Sequence, residues 1–228
     1  MSEDGKPLNI KVVLLGESGV GKTSIIMRYI TNLFNPRQLA TQGASYVSKV
    51  IEVKKNQKIK FELWDTAGEE KYRAIARVFY QNSSVCILVY DITRKASFDE
   101  IKNFWINEIK QHLQDDASKI IFKNKINFNF LVYALVGNKS DLYLEEEVTD
   151  EEGLKLAKEI NAIYQRTSAK SDSGSIDELF MNIGKKILEP DSVIESNLTK
   201  DEKKQRGKIL LKQQIREEEQ ASKKRCCG

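Results

Sequence analysis

Gly16-Glu17-Ser18-Gly19-Val20-Gly21-Lys22-Thr23 follows the apolar run Ile10 to Leu15 and matches the pattern G-x-x-x-x-G-K-[ST]. Glycines at the ends of such a loop let backbone N–H groups turn inward around phosphate oxygens. Lys22 places an ammonium on the outer phosphates. The Thr23 hydroxyl is offered to Mg²⁺, with Ser24 beside it extending the cradle. The segment from Lys22 to Thr31 reads as a helix, so its positive N-terminus faces the anion. Strand, loop and helix in that order predict a nucleoside triphosphate site. They do not say which base is bound or what reaction follows.

Outward from the loop, strands and helices alternate. Asn9–Leu15 is an apolar strand, and Ser45–Lys54 with Lys58–Trp64 reads as an antiparallel hairpin around Asn56-Gln57. Val85–Tyr90 and Phe130–Val136 are short and almost wholly apolar, as central parallel strands buried on both faces are. Ala162–Thr167 is a weaker strand. Ser97–Leu113 repeats apolar residues at Phe98, Ile101, Trp105, Ile109 and Leu113, a helical period. Thr149-Asp150-Glu151-Glu152 and Ser175-Ile176-Asp177-Glu178 have the form of capping boxes, each opening a helix, the second ending near Pro190. The predicted fold is α/β: a doubly wound, mostly parallel sheet with one antiparallel edge hairpin and a flexible C-terminal tail.

The chain has 228 residues, enough for one α/β domain and an appendage, with 40% apolar and 31% charged residues. A net charge of +4 is mild and gives no case for nucleic-acid binding. No apolar run approaches a membrane span, and Met1 to Pro7 has no signal-peptide core. Three cysteines, two of them neighbours at the end, make no disulfide framework, and Cys86 reads as a buried strand residue. The chain is expected in the cytosol, with nothing demanding more than a monomer.

Base choice is read further along. Asn138-Lys139-Ser140-Asp141 follows a buried strand. A carboxylate there accepts from guanine N1–H and the exocyclic amine, a donor pair that adenine lacks. Asn138 would brace the loop and the Lys139 stem would lie against the base. Ser168-Ala169-Lys170 fits a second base loop, with the Ala169 N–H meeting guanine O6. Trp64-Asp65-Thr66-Ala67-Gly68 ends the second hairpin strand. Asp65 is the acidic partner of Thr23 at Mg²⁺, acting through water. The Gly68 N–H reaches a γ-phosphate because glycine permits close approach. Thr41, in the irregular segment Asn32–Ser45, closes over the metal when a third phosphate is present.

These four motifs, in this order and at roughly these intervals, resemble the Ras superfamily of small GTPases over about Asn9 to Glu189. Trp64 before Asp65, the run Lys71-Tyr72-Arg73, the phrase Val89-Tyr90-Asp91-Ile92-Thr93 and the terminal cysteine pair are similar to the Rab family. The resemblance implies a small GTPase domain over 1–190 and a hypervariable tail over 191–228. It implies a GDP/GTP switch with Mg²⁺, served by an exchange factor, a GTPase-activating protein and trafficking effectors. Phe34 would stack on guanine, and Tyr46, Trp64 and Phe79 would form the aromatic triad shown to effectors. Segments near Asn35–Ala44 and Gly68–Phe79 would be ordered by γ-phosphate and Mg²⁺ and released on hydrolysis. Lys22, Thr41, Gly68 and the residue after Gly68 would then serve the chemistry. Such hydrolysis is slow unaided and accelerated roughly 10³–10⁵-fold by a partner's arginine.

Three departures from the family pattern stand out. The family's glutamine after DTAG is Glu69, which accepts a hydrogen bond from water but cannot donate an N–H to the phosphoryl group. Beside a triphosphate this carboxylate is repelled or its pKa raised. The residue after Thr41, usually isoleucine in Rab chains, is Gln42, which removes an apolar anchor. The segment Asp115–Phe128 exceeds the family norm by roughly a dozen residues, as a surface insertion can. It carries Ile120, Ile121, Phe122, Ile126 and Phe128, an odd set to leave in water, so a partner-binding role stays open.

Asp191–Gly228 holds ten Lys and Arg against seven Asp and Glu and reads as a tail outside the core. Arg225 stands where a C-a-a-X signal needs cysteine, so single-cysteine prenylation fails. Cys226 and Cys227 instead resemble the doubly geranylgeranylated end of Rab proteins, made by the prenylation machinery. Two lipid chains hold a membrane where one is marginal, and Lys223-Lys224-Arg225 add about 1 kcal/mol per charge on anionic lipid. The implied place is the cytoplasmic face of endomembranes, with a cytosolic pool. A competing reading is a GTP-loaded binding module that scarcely hydrolyses because of Glu69. An adenine-specific P-loop kinase or ATPase would leave the base loops and the cysteine end unexplained.

Overall fold

The structure, a computed structural model, describes residues 6–68, 73–111 and 131–189, the side chains of 73–76 excepted. Glu69, the 115–128 segment, Leu113, Phe130 and the Cys226–Cys227 pair lie outside the described residues. The chain divides into two compact units, Met1–Lys185 and Lys186–Gly228, and only 186–189 of the second are described. Among the described residues no helix is long and apolar enough to cross a membrane.

Six strands form one sheet in the order β2-β3-β1-β4-β5-β6. They are β1 (Leu8–Leu15), β2 (Ala44–Lys54), β3 (Gln57–Thr66), β4 (Val85–Asp91), β5 (Val132–Asn138) and β6 (Ile163–Arg166). All neighbours are parallel except β2 against β3, an antiparallel edge pair with Tyr46 opposite Trp64. Every residue of β4 is buried, the signature of a strand covered on both faces. β1 has β3 on one side and β4 on the other, so the strand order reverses there. Open α/β sheets bind ligands at the carboxyl ends of the strands beside such a reversal.

The helices are α1 (Lys22–Thr31), α2 (Arg73–Tyr80), α3 (Lys95–Glu100), α4 (Asp150–Glu159) and α5 (Gly174–Leu188). On one sheet face Tyr29 of α1 stacks on Phe180 of α5 at 3.8 Å, and Phe180 meets Phe61 of β3 at 5.6 Å. The other face joins Val13, Leu15 and Leu88 to Tyr80, Phe98, Ile101, Trp105 and Ile109. Each such side chain contributes about 1.5–3 kcal/mol through burial. Cys86 lies in the same cluster, and burial pushes its thiol up, so it stays an unreactive packing residue.

Local detail departs from the pattern in three places. The hairpin turns on Lys55-Asn56, one residue earlier than expected, because Asn56 takes φ 63°. α3 runs on through a π-helical turn, Ile101–Trp105, into residues 106–111. Trp105 and Ile106, at and just beyond that turn, are both buried. The Thr149 capping box is present, Thr149 Oγ1 accepting from Glu152 N at 3.2 Å and Glu152 Oε2 from Thr149 N at 3.0 Å. The box expected at Ser175 does not open α5. That helix starts at Gly174, and Asp172 Oδ1 accepts from the Ser175 N–H at 3.3 Å.

Candidate active site

Loops at the carboxyl ends of β1, β3, β5 and β6, with residues 34–41, enclose a cleft of about 410 Å³. That is the size of a small-molecule or cofactor site. At one end lies the Gly16–Thr23 loop. Lys22 is buried, and its Nζ donates to the carbonyls of Gly16 at 2.7 Å and Glu17 at 2.9 Å. Burial pushes the Lys22 ammonium down to about 8, against the pull of Asp65. An anion at the loop would favour its charged form. Ser18, Gly19 and Ser24 line the cleft, whereas the Val20 side chain is buried in the core. Gly68 passes so close that a Cβ there would sit 2.5 Å from Lys22 Nζ and 2.5 Å from the Ser18 N. Only glycine brings that backbone beside the lysine.

Three oxygens converge next to Lys22. Thr23 Oγ1 donates to Asp65 Oδ2 at 2.6 Å, and Thr41 Oγ1 lies 2.7 Å from Thr23 Oγ1. Asp65 is 2% exposed, burial raises its carboxyl pKa, and its Oδ1 has no hydrogen-bond partner. A buried carboxylate oxygen without a donor is costly unless a cation or water meets it. Two hydroxyls and one carboxylate suit a hard divalent ion such as Mg²⁺, which keeps several of its waters. The residues present therefore fit that metal.

The far end is built from the two loops expected to read a base. Asn138 donates from Nδ2 to Val20 O at 2.8 Å and accepts at Oδ1 from Thr167 Oγ1 at 3.2 Å and Ala169 N at 3.3 Å. It braces the phosphate loop against the Ser168-Ala169-Lys170 loop. Ser168 Oγ donates to Asp141 Oδ1 at 2.5 Å, and Lys170 Nζ lies 3.9 Å from Asp141 Oδ2. Phe34, Lys139, Asp141, Ala169 and Lys170 all line the cleft.

The fold also recruits Arg28, which motif reading passes over. Its Nε donates to Ala169 O, Nη2 to Lys170 O and Nη1 to Asn32 O, each at 2.7 Å. One planar fork thus fastens the end of α1 to the second base loop. In sequence it is only a basic residue in the last turn of a helix, a position that favours any cation.

Outside the cleft, Tyr46 and Trp64 have ring centroids 5.3 Å apart, and Trp64 and Phe79 5.8 Å. The three aromatics form one row, with Tyr46 46% exposed and Gln42 exposed nearby in the chain.

The Ras family sequence model matches residues 11–189. The chain is 39% identical over 186 residues to the Ras-related protein RabJ of Dictyostelium discoideum, covering 80% of this chain and 66% of that one. It is 38% identical over 187 residues to human Rab-22A, covering 82% and 88%, respectively. With bovine Rab-21 it shares 36% identity over 191 residues, covering 84% and 78%.

Proposed function

The chain belongs to the Ras family, as a small GTPase of the Rab type, and from that premise we propose that it is a GDP/GTP switch regulating vesicle and membrane traffic. It hydrolyses GTP to GDP and phosphate and recruits effectors while GTP is bound. The observation that carries this reading is the meeting of Lys22, of Thr23 and Thr41 with Asp65 bonded to Thr23, and of Asp141 and Ala169 with Ser168 bonded to Asp141, around one cleft. The first suits β- and γ-phosphates, the second a divalent ion and the third guanine.

Lys22 and the N–H groups of residues 16–24 hold the phosphates. Thr23, Thr41 and Asp65 hold Mg²⁺, which when bound neutralises charge on the phosphate oxygens. Phe34 and the Lys139 stem sandwich the base, and Asp141 selects it. Water attacks the γ-phosphorus in line as the bond to the β–γ bridging oxygen breaks. The Gly68 N–H steadies the γ-phosphate, and Glu69 accepts a hydrogen bond from the attacking water. Glu69 offers no amide N–H to the transferring group, so partner-accelerated hydrolysis is weaker than with glutamine. Glu69→Gln is expected to raise the rate with an activating protein by about tenfold or more. Single-turnover hydrolysis of Mg²⁺·GTP, with and without that partner, measures it. Equal rates for both chains would remove Glu69 from the mechanism. Tight GTP binding with no turnover would favour the GTP-loaded binding module.

Effectors meet the Tyr46–Trp64–Phe79 row, and Gln42 narrows the set that binds. Gln42→Ile is expected to strengthen binding of common Rab effectors by about 1–3 kcal/mol, the worth of one buried apolar anchor. Titration calorimetry on the GTP-analogue complex would reveal it, and unchanged affinity would count against the idea. Exchange factor and activating protein set the loading state. The domain occupies 1–190, and the tail over 191–228 tethers it through prenylated Cys226 and Cys227 to the cytoplasmic face of an endomembrane. A prenylated fraction is held in the cytosol as a pool.

A further inference from the structure

The last residue of β4, Asp91, is 1% exposed and does not line the cleft. Its two carboxylate oxygens have separate partners. Oδ1 accepts from Thr93 N at 3.0 Å and Thr93 Oγ1 at 2.8 Å, closing the local turn. Oδ2 faces the site. It meets Lys139 Nζ at 2.6 Å and Arg94 Nε at 3.4 Å. Arg94 in turn donates from Nη2 to Ser18 O at 3.0 Å and lies 3.3 Å from Glu17 Oε2. One carboxylate oxygen is therefore shared by Lys139, a cation of the base loop, and Arg94, a cation that follows β4 and grips the phosphate loop.

Each link has a physical consequence. With its ammonium fixed on Asp91, the Lys139 side chain keeps its methylene stem along the cleft, where a base face would lie. Arg94 holds the Ser18 carbonyl and the Glu17 side chain, so it fixes the backbone in the middle of the Gly16–Thr23 loop. A buried carboxylate would ordinarily have a raised pKa. Here the hydrogen bonds from Lys139 and Thr93 outweigh burial and hold Asp91 below the usual carboxylate range. The pair interactions thus persist at neutral pH and are lost only as acid protonates it.

We infer that Asp91 is a positioning residue that locks the phosphate loop and the guanine loop together through Arg94 and Lys139, and so sets how long nucleotide is retained. The inference rests on the guanine-nucleotide reading above. Neither Asp91 nor Arg94 lines the cleft. They act through loops that do.

The test is release of a fluorescent GDP analogue from the purified full chain in Mg²⁺, chased with excess GDP, beside thermal unfolding. Asp91→Asn keeps shape and the Thr93 turn but loses the charge, and is expected to speed release by about tenfold or more. Arg94→Gln, on a half-exposed side chain, is expected to speed it about threefold with unchanged unfolding temperature. The double variant should fall short of the product of the two, because the residues act as a unit. Thr93→Val removes the Oγ1 bond to Asp91 and keeps the N–H bond, and should lower the unfolding temperature while leaving release within about twofold. Release from Arg94→Gln at the natural rate overturns the inference. So does equal acceleration by Thr93→Val, which would give Asp91 a structural role alone. If Asp91→Asn does not fold, the Arg94 and Thr93 variants still decide the matter. A natural chain that does not retain the GDP analogue would instead defeat the nucleotide reading itself.

Discussion

Asparagine in place of Asp141 is expected to weaken GDP binding by about 10²–10⁴-fold, the worth of two hydrogen bonds to a charged acceptor. The size follows from how Ser168 fixes the side chain. Ser168 Oγ accepts from Ser171 N at 3.0 Å and Ser171 Oγ at 2.9 Å, so its own hydrogen goes to Asp141 Oδ1 at 2.5 Å. An asparagine must keep its oxygen toward that donor. Its amide nitrogen then faces the edge where guanine presents N1–H and the exocyclic amine. Two acceptor contacts become donor against donor, and buried donors left unpaired are rejected far more strongly than a missing methylene. A purine with a carbonyl in place of the exocyclic amine should bind the variant better than guanine does. Competition between guanosine and xanthosine diphosphates against a fluorescent nucleotide measures both effects. Adding Ser168→Ala frees the amide to turn over and should recover part of the guanine affinity. Unchanged discrimination in Asp141→Asn would mean that this carboxylate does not read the base.

The phosphate loop could be read from the chain because its chemistry is local. Eight consecutive residues carry the spacing, and the helix expected over Lys22 to Thr31 is the one observed. The two loops at the far end of the cleft were legible for a related reason: Asn138 ends an almost wholly apolar strand, and a polar run there must sit at the end of the sheet. Boundaries were harder, since hydrogen-bond register sets them. β3 reaches Thr66 because Ala44 pairs with it across the hairpin, which no propensity announces. The start of α5 was misplaced because Asp172, three residues before Ser175, offers the better-placed acceptor. The π-helical turn at Ile101–Trp105 adds one residue to its turn, which an apolar repeat of helical period does not announce. Arg28, Asp91 and Arg94 stayed hidden for a different reason. Arg28 reaches Ala169 across 141 positions and Arg94 reaches Ser18 across 76. Such contacts exist only once the sheet order has brought the loops together.

That same closeness makes Gly21 a position where one added methyl is expected to disturb both ends of the site. Its φ of 99° lies in the left-handed region, where an L side chain costs about 1–2 kcal/mol. A Cβ there would also lie 2.2 Å from Asn138 Nδ2. Asn138 is 2% exposed and holds Val20, Thr167 and Ala169 at once, so it cannot withdraw without stranding buried polar groups. Each stranded group costs about 1–3 kcal/mol. Strain at one residue thus reaches both ends of the cleft: the Gly16–Thr23 loop through Val20, and the Ser168-Ala169-Lys170 loop through the Thr167 and Ala169 bonds to Asn138. Gly21→Ala should lower guanine-nucleotide affinity about a hundredfold or more. It should also lower the unfolding temperature by about 2–4 °C per kcal/mol lost. Gly19→Ala separates the two causes. Gly19 has φ 79°, yet a Cβ there meets no protein atom within 4 Å, so in the nucleotide-free chain that variant carries backbone strain alone. Nucleotide titration and thermal unfolding of both should place Gly21→Ala well below Gly19→Ala. Equal losses would show that the left-handed backbone, and not the approach of Asn138, is what requires glycine at this turn.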